Sequence, residues 1–354
     1  MASTRGRTLR DQSENQSTSS LIPGVHPLLG KDTKQLRRPA LGELRNRKKV
    51  ERVEGKAADP SRDCLNLDSL SRSLPATGVE DIDQDDWENP QLCAEYVNEI
   101  YTYMRQLEIK FTVPRDYIGK QRDINEKMRA ILIDWLVQVH LRFHLLPETL
   151  YMTISIIDRY LASEQVTRGK LQLVGVTAMF VASKYEEIYA PELRDFVYIT
   201  DNAYTGKQIR DMERHMLAVL NHDLGKPLPL HFLRRNSKAG QVDADIHSVA
   251  KYLMELSLQD YTSLEYCPSE IAAAALWISL KVNGSAITWN PTLVHYSTYT
   301  EKDLKPCVNH LARLVKESAT SKLQAVRNKY STSKFLNVSS KPGLQPSNIM
   351  KMIS

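Results

Sequence analysis

Side chains able to do chemistry are thinly spread along this chain. His140 and His144 stand one helical turn apart and Glu148 follows a turn later, a set that could be imagined around a metal ion. No further ligand is evident beside them, and Phe143 marks a packed helix instead. Glu186 and Glu187 are neighbours, so on a helix they diverge and do not form an acid–base pair. His247 and Lys251 share a helix face with i, i+4 spacing, and Arg234 precedes them; three such groups either receive an anion or form a solvated face. Gly-x-Gly, Walker A, His-Glu-x-x-His, Gly-x-Ser-x-Gly and Cys-x-x-Cys patterns are absent. Cys64, Cys93, Cys267 and Cys307 lie too far apart for a metal knuckle or redox pair and read as reduced, intracellular thiols. No catalytic constellation emerges and no cofactor or metal is expected, so the chain reads as a binding scaffold.

Elements able to position a binding surface begin late. The chain has 354 residues, yet no Phe, Tyr or Trp precedes Trp87. Residues 1–88 carry too little large apolar surface to offset chain entropy and are expected to be a disordered tail. Basic residues dominate up to Lys56, most densely at Arg45–Lys49, and acidic ones over Glu80–Glu88. The basic run suits nuclear import or a weak anion contact, whereas a net charge of +5 is too small to argue for nucleic acid. There is no apolar core of a secretory signal at the N-terminus, and the apolar run Leu171–Ala182 is too short to span a bilayer, so a soluble protein is expected.

Helix signals then follow one another. Asn89-Pro90 predicts a first helix to Leu107, and further helices are expected over 125–145, from Pro147, over 171–183, from Pro191 and over 205–220. The 171–183 stretch is apolar nearly all round and should be the centre of a bundle, with Gly175, Ala178 and Ala182 allowing close approach. Lys226-Pro-Leu-Pro229 cannot sit in a helix interior and marks a domain boundary. Helices are expected again over 231–239, 243–258, 269–282, 291–296 and 301–318, and Ala272–Lys281 echoes Val176–Lys184. The pattern is an all-α chain with two tandem copies of a five-helix unit, preceded by an N-terminal helix.

The strings Met128-Arg-Ala-Ile-Leu-Ile-Asp-Trp135, Leu171-Gln-Leu-Val-Gly175, Ala182-Ser-Lys-Tyr-Glu-Glu-Ile-Tyr189 and Pro227-Leu-Pro-Leu-His-Phe-Leu-Arg-Arg235 resemble those of cyclins. The last of them, with Lys251-Tyr-Leu-Met-Glu-Leu256, resembles the mitotic B type. The resemblance runs from about Gln91 to Lys334 and implies cyclin boxes at 89–226 and 227–335, with a C-terminal tail over 336–354. It implies a non-enzymatic subunit that activates a mitotic cyclin-dependent kinase in a heterodimer and helps select its substrates.

By the same resemblance Lys184 and Glu213 are the charged kinase contacts, with Tyr185 and Leu217 adjoining; otherwise they are surface charges. His222 departs from the family, which places an aromatic residue there. A substrate-docking patch for Arg-x-Leu peptides maps to Met128, Ile131, Leu132, Trp135, Gln138, Arg168, Leu171 and Gln172, although Ile131 and Leu132 also read as core. Gln138 replaces a Glu of A-type relatives and should weaken the pull on a peptide Arg. Arg234, His247 and Lys251 match a B-type trio that holds phosphate groups on partners.

In the tail, Arg38, Leu41 and Asn46 fit the destruction box, Arg-x-x-Leu-x-x-x-x-Asn, implying uptake by a ubiquitin ligase adaptor, with lysines nearby as acceptors. Leu65–Leu74 has the leucine spacing of a nuclear export signal, so shuttling between cytoplasm and nucleus is expected. Arg234-Arg-Asn-Ser237 fits a basophilic kinase site inside a predicted helix, and no Ser-Pro or Thr-Pro occurs. The rival reading is a cyclin-fold transcription factor bridging DNA and polymerase. It predicts a basic groove and often a zinc ribbon, and this chain has neither Cys-x-x-Cys nor a strong positive excess.

Overall fold

The structure is a computed structural model that describes residues 78–353. The destruction box, the basic run and the leucine-rich segment therefore lie outside the described residues. Among the described residues all regular structure is helical. α1 (Val97–Lys110) and the single turn α2 (Tyr117–Lys120) lead into α3 (Glu126–Arg142), α4 (Pro147–Ser163), α5 (Leu171–Glu186), α6 (Leu193–Ile199) and α7 (Gly206–Val219). A second set follows: α8 (Pro229–Ala239), α9 (Ala244–Gln259), α10 (Pro268–Val282), α11 (Pro291–Ser297) and α12 (Glu301–Ser318), with α13 (Ala325–Lys329) and α14 (Pro346–Ile353) closing the chain.

The starts follow from local chemistry. Asn125 accepts from the Met128 amide at the head of α3, Asp243 from that of Ile246 at α9, and Asn290 from that of Leu293 at α11. Thr205 with Gln208, and Thr300 with Asp303, make reciprocal capping boxes on α7 and α12. Pro147 and Pro268 open α4 and α10, where a missing N–H costs nothing.

In the first bundle α5 is the axle, buried over Leu171 and Leu173–Ser183 and packed by α3, α4, α6 and α7. Gly175 allows close approach there, because a Cβ at this position would come within 2.7 Å of Leu132 Cδ1 and force that side chain to move. α10 plays the same part in the second bundle, among α8, α9, α11 and α12. The internal repeat is thus realised as two bundles around two buried, small-residue helices.

Three expectations are corrected. Regular helix starts at Val97 rather than at Asn89, because Asn89 Oδ1 accepts from the Gln91 amide at 3.0 Å and Cys93 turns into the left-handed region (φ 50°). The acidic block is not free tail throughout: Asp83 is buried and its carboxylate accepts from both terminal nitrogens of Arg235 in α8. Tyr296 Oη donates to the Glu80 carbonyl at 3.2 Å, and the Glu80 amide donates to Thr292 Oγ1 at 3.1 Å. Residues 336–353 are likewise no loose tail, since Val338, Leu344 and Ile349 are buried and α14 packs on α12.

Buried charges join the parts. Arg105 donates to the Tyr296 and Ser297 carbonyls (3.2 and 2.8 Å), and Glu108 accepts from the Ser269 amide (2.9 Å) and hydroxyl (2.7 Å). A cation thus meets the carbonyl end of α11 and an anion the amide end of α10, the favourable sense for both dipoles. Arg129 of α3 donates to both Asp158 oxygens (2.7 and 2.8 Å) and to the Leu258 carbonyl of α9 (3.1 Å), tying the two bundles.

Candidate functional site

Lys184 lies in the last turn of α5 and Glu213 at mid-α7. Packing of α5 on α7 closes their separation of 29 positions into an ion pair, Lys184 Nζ to Glu213 Oε1. The lysine side chain remains 44% exposed and Glu213 14%, and Lys184 Nζ also sits 4.2 Å from the centroid of the Phe180 ring. Tyr185 is exposed and Leu217 half-buried against the core. Beyond the pair the chain leaves Ile188 90% and Tyr189 92% exposed, so large apolar surface stands unpacked beside a charge pair. Neither residue was singled out from sequence, although both stand in the quoted string; their exposure was the missing signal. His222 is exposed in a left-handed turn (φ 56°) after α7, its amide bonded to the Leu217 carbonyl at 2.8 Å, so it ends the helix rather than filling an aromatic slot.

α3 carries Met128, Ile131, Leu132, Trp135 and Gln138, the start of α5 on which it packs carries Leu171 and Gln172, and Arg168 lies in the 3-10 turn just before α5, all at different depths. Ile131, Gln138 and Arg168 are exposed, and Met128, Trp135 and Gln172 half-buried. Leu132 and Leu171 are buried, so they form the floor and cannot offer open surface. Gln138 Nε2 donates to Asp134 Oδ2 at 3.2 Å, which places a carboxylate one turn from the neutral amide.

Arg234 in α8 and His247 and Lys251 in α9 converge, since α8 packs on α9. His247 is pushed down to about 4, first by burial and then by the charges of Lys251 and Arg234. It is neutral near pH 7 and so brings no charge of its own to the site. Its Nδ1 is hydrogen-bonded to Ser237 Oγ at 2.8 Å. Ser237 is thus part of this site, which its position in a basic run had suggested only as a modification motif. Burial also lowers Lys251, while Glu255 one turn on acts to raise it. Arg234 pairs with Glu148 of the first bundle. Glu148 consequently joins Arg234 rather than the histidines; His140 is buried against the Leu146 carbonyl (3.1 Å), and His144 lies beyond α3. Among the described residues no cluster of three His, Cys, Asp or Glu is placed to hold a metal ion.

Two domain families match this chain: Cyclin, N-terminal domain, over residues 99–225 and Cyclin, C-terminal domain, over 227–344. The G2/mitotic-specific cyclin-B of Marthasterias glacialis is 55% identical over 309 residues, covering 86% of this chain and 79% of that protein. That of Patella vulgata is 57% identical over 303 residues (84% and 74%), and the cyclin-B2 of Bos taurus 53% over 279 (78% and 69%). A solved viral cyclin from herpesvirus saimiri shares the fold, with a TM-score of 0.51 at 19% identity, covering 66% of this chain and 98% of that one. The chain belongs to the cyclin family, and these relatives place it among the G2/mitotic-specific B cyclins.

Proposed function

We propose that this chain is the regulatory subunit of a mitotic cyclin-dependent kinase, which it binds and activates while contributing no catalytic residue. The observation that carries this is the Lys184–Glu213 pair beside exposed Tyr185, Ile188 and Tyr189. A protein kinase needs an ion pair between a strand Lys and a helix Glu, so the position of that helix controls activity. A rigid partner that binds only the helix-in arrangement shifts the population toward it. Lys184 and Glu213 hold each other in the free chain, and a kinase segment with its own charges re-partners them as water is excluded. Ile131, Gln138 and Arg168 over the Leu132–Leu171 floor serve substrate docking. Arg234, His247 and Lys251 receive phosphorylated segments of partners. Arg38, Leu41 and Asn46 deliver the chain to a ubiquitin ligase adaptor and the proteasome, ending the signal for mitosis. The chain shuttles between cytoplasm and nucleus.

Lys184→Ala with Glu213→Ala tests the central claim by co-purification with a cyclin-dependent kinase and histone phosphorylation. Truncating close interfacial charges costs about 2–5 kcal/mol of binding. Capture and activity should both fall sharply while helical circular dichroism stays unchanged. Kinase binding at the parental level would overturn the assignment.

A further inference from the structure

The anion site contains an anion of its own. Arg234 reaches from α8 across the bundle boundary to Glu148 in the first turn of α4, where Nη2 donates to Oε1. Glu148 is mostly buried, at 14% side-chain exposure, whereas Arg234 is 55% exposed. Burial drives the Glu148 carboxyl upward, but the hydrogen bond and charge of Arg234 outweigh it and hold the group below the ordinary range. Burial first, and then the charges of Glu148 and Glu187, push the Glu186 carboxyl upward, while Arg234 acts to lower it. After burial, the guanidinium is among the charges that lower His247 and Lys251, while Glu148 itself acts to raise Lys251. One guanidinium is therefore paired with an internal carboxylate while it neighbours two groups suited to an external anion.

We propose that Glu148 is a built-in competitor for Arg234 and sets how tightly the Arg234–His247–Lys251 site takes a phosphorylated segment. This rests on the reading of that trio as a phosphate site. A phosphoryl group carries about −1.5 to −2 charge at pH 7 and three acceptor oxygens, against one charge on the carboxylate. The phosphate wins the planar fork only by out-competing Glu148, so weaker anions such as acidic side chains are refused. Glu148 belongs to the first bundle, so occupancy also exchanges an interbundle contact for one to the ligand.

The test is calorimetric titration of the full chain with a phosphoserine peptide, its unphosphorylated twin and inorganic phosphate. Glu148→Gln keeps the shape and removes the charge; it should tighten phosphopeptide binding about fivefold. Glu148→Ala should do the same if the Gln side chain perturbs packing. Arg234→Ala added to either variant should abolish the gain, and Glu186→Gln, which removes a nearby charge without freeing Arg234, should give a smaller change. Binding by Glu148→Gln alone, with none by the parent, would show the competitor in its strongest form. Parental binding with equal or weaker affinity in both Glu148 variants overturns the competitor and leaves the phosphate site standing. Absence of phosphopeptide binding in parent and variants alike overturns both.

Discussion

Loss of the Arg129 side chain should weaken this fold severely. It is 1% exposed, and the guanidinium spends three nitrogens on named acceptors: Nε and Nη2 on the Asp158 carboxylate at 2.7 and 2.8 Å, and Nη1 on the Leu258 carbonyl at 3.1 Å. Tyr117 Oη donates to the same Asp158 oxygen at 2.7 Å. Replacing Arg129 by Met fills most of the volume but leaves a buried carboxylate with one phenol, no hydrogen-bonded cation and only the charge of Lys226 acting on it through space. Breaking one side of a buried pair costs about 3–5 kcal/mol, because the abandoned charge keeps its desolvation penalty. Against a net stability of about 5–15 kcal/mol for a folded domain, that removes a large share. Arg129→Met should lower the urea midpoint by an amount corresponding to that loss, read by circular dichroism at pH 7. A double variant, Arg129→Met with Asp158→Leu, removes both charges and should recover most of the loss, because no ion is then stranded. It should not recover the tether to Leu258, so hydrogen exchange at the end of α9 should stay faster than in the parent. An Arg129→Met chain that unfolds within 1 kcal/mol of the parent would refute the reasoning.

Two further outcomes follow from other buried groups. His140 titrates at about 3, chiefly through burial, against 6.5 for a free histidine. The unfolded chain takes up this proton as pH falls through 6.5 and the folded chain does not until about 3, so stability should fall with pH across that window. By pH 5 the loss from this residue is about 2 kcal/mol; His140→Gln should flatten the slope of stability between pH 6.5 and 4.5, and an unchanged slope would exclude it as the cause. Asp83→Asn should release the 80–86 segment from α8 and raise its hydrogen exchange while global unfolding changes less, since Arg235 then reaches water; unaltered protection of the segment would count against the docking of Asp83 on Arg235 and Lys238.

Much of the helical plan was legible because its signals are local. Asn125, Thr205, Asp243 and Thr300 each cap the amide three residues on, and such spacing can be read along a line of letters. The centrality of the 171–183 stretch was legible for a similar reason, since a helix apolar on every face must be enclosed on every face, and 272–281 was legible as its echo. At the N-terminal end the same approach failed, where Asn89-Pro90 offers a good start and the backbone at Cys93 breaks it. It failed again over 338–349, whose apolar residues are too sparse to show a period and are buried by the α12 surface they meet.

By itself the sequence determined the order of the longer helices, the two-fold repetition and the strings that mark the cyclin family, whereas the short α2, α13 and α14 were not legible in it. Only the tertiary structure decided which charges are spent inside the molecule. Lys329 meets Glu255 across 74 positions, Arg234 meets Glu148 across 86 and Arg235 meets Asp83 across 152. No periodicity encodes such pairings, because they depend on which helix faces are brought into contact and how little water is left between them. A guanidinium at the surface and one held in the core are written with the same letter, and the difference between Arg168 and Arg129 is a matter of neighbours.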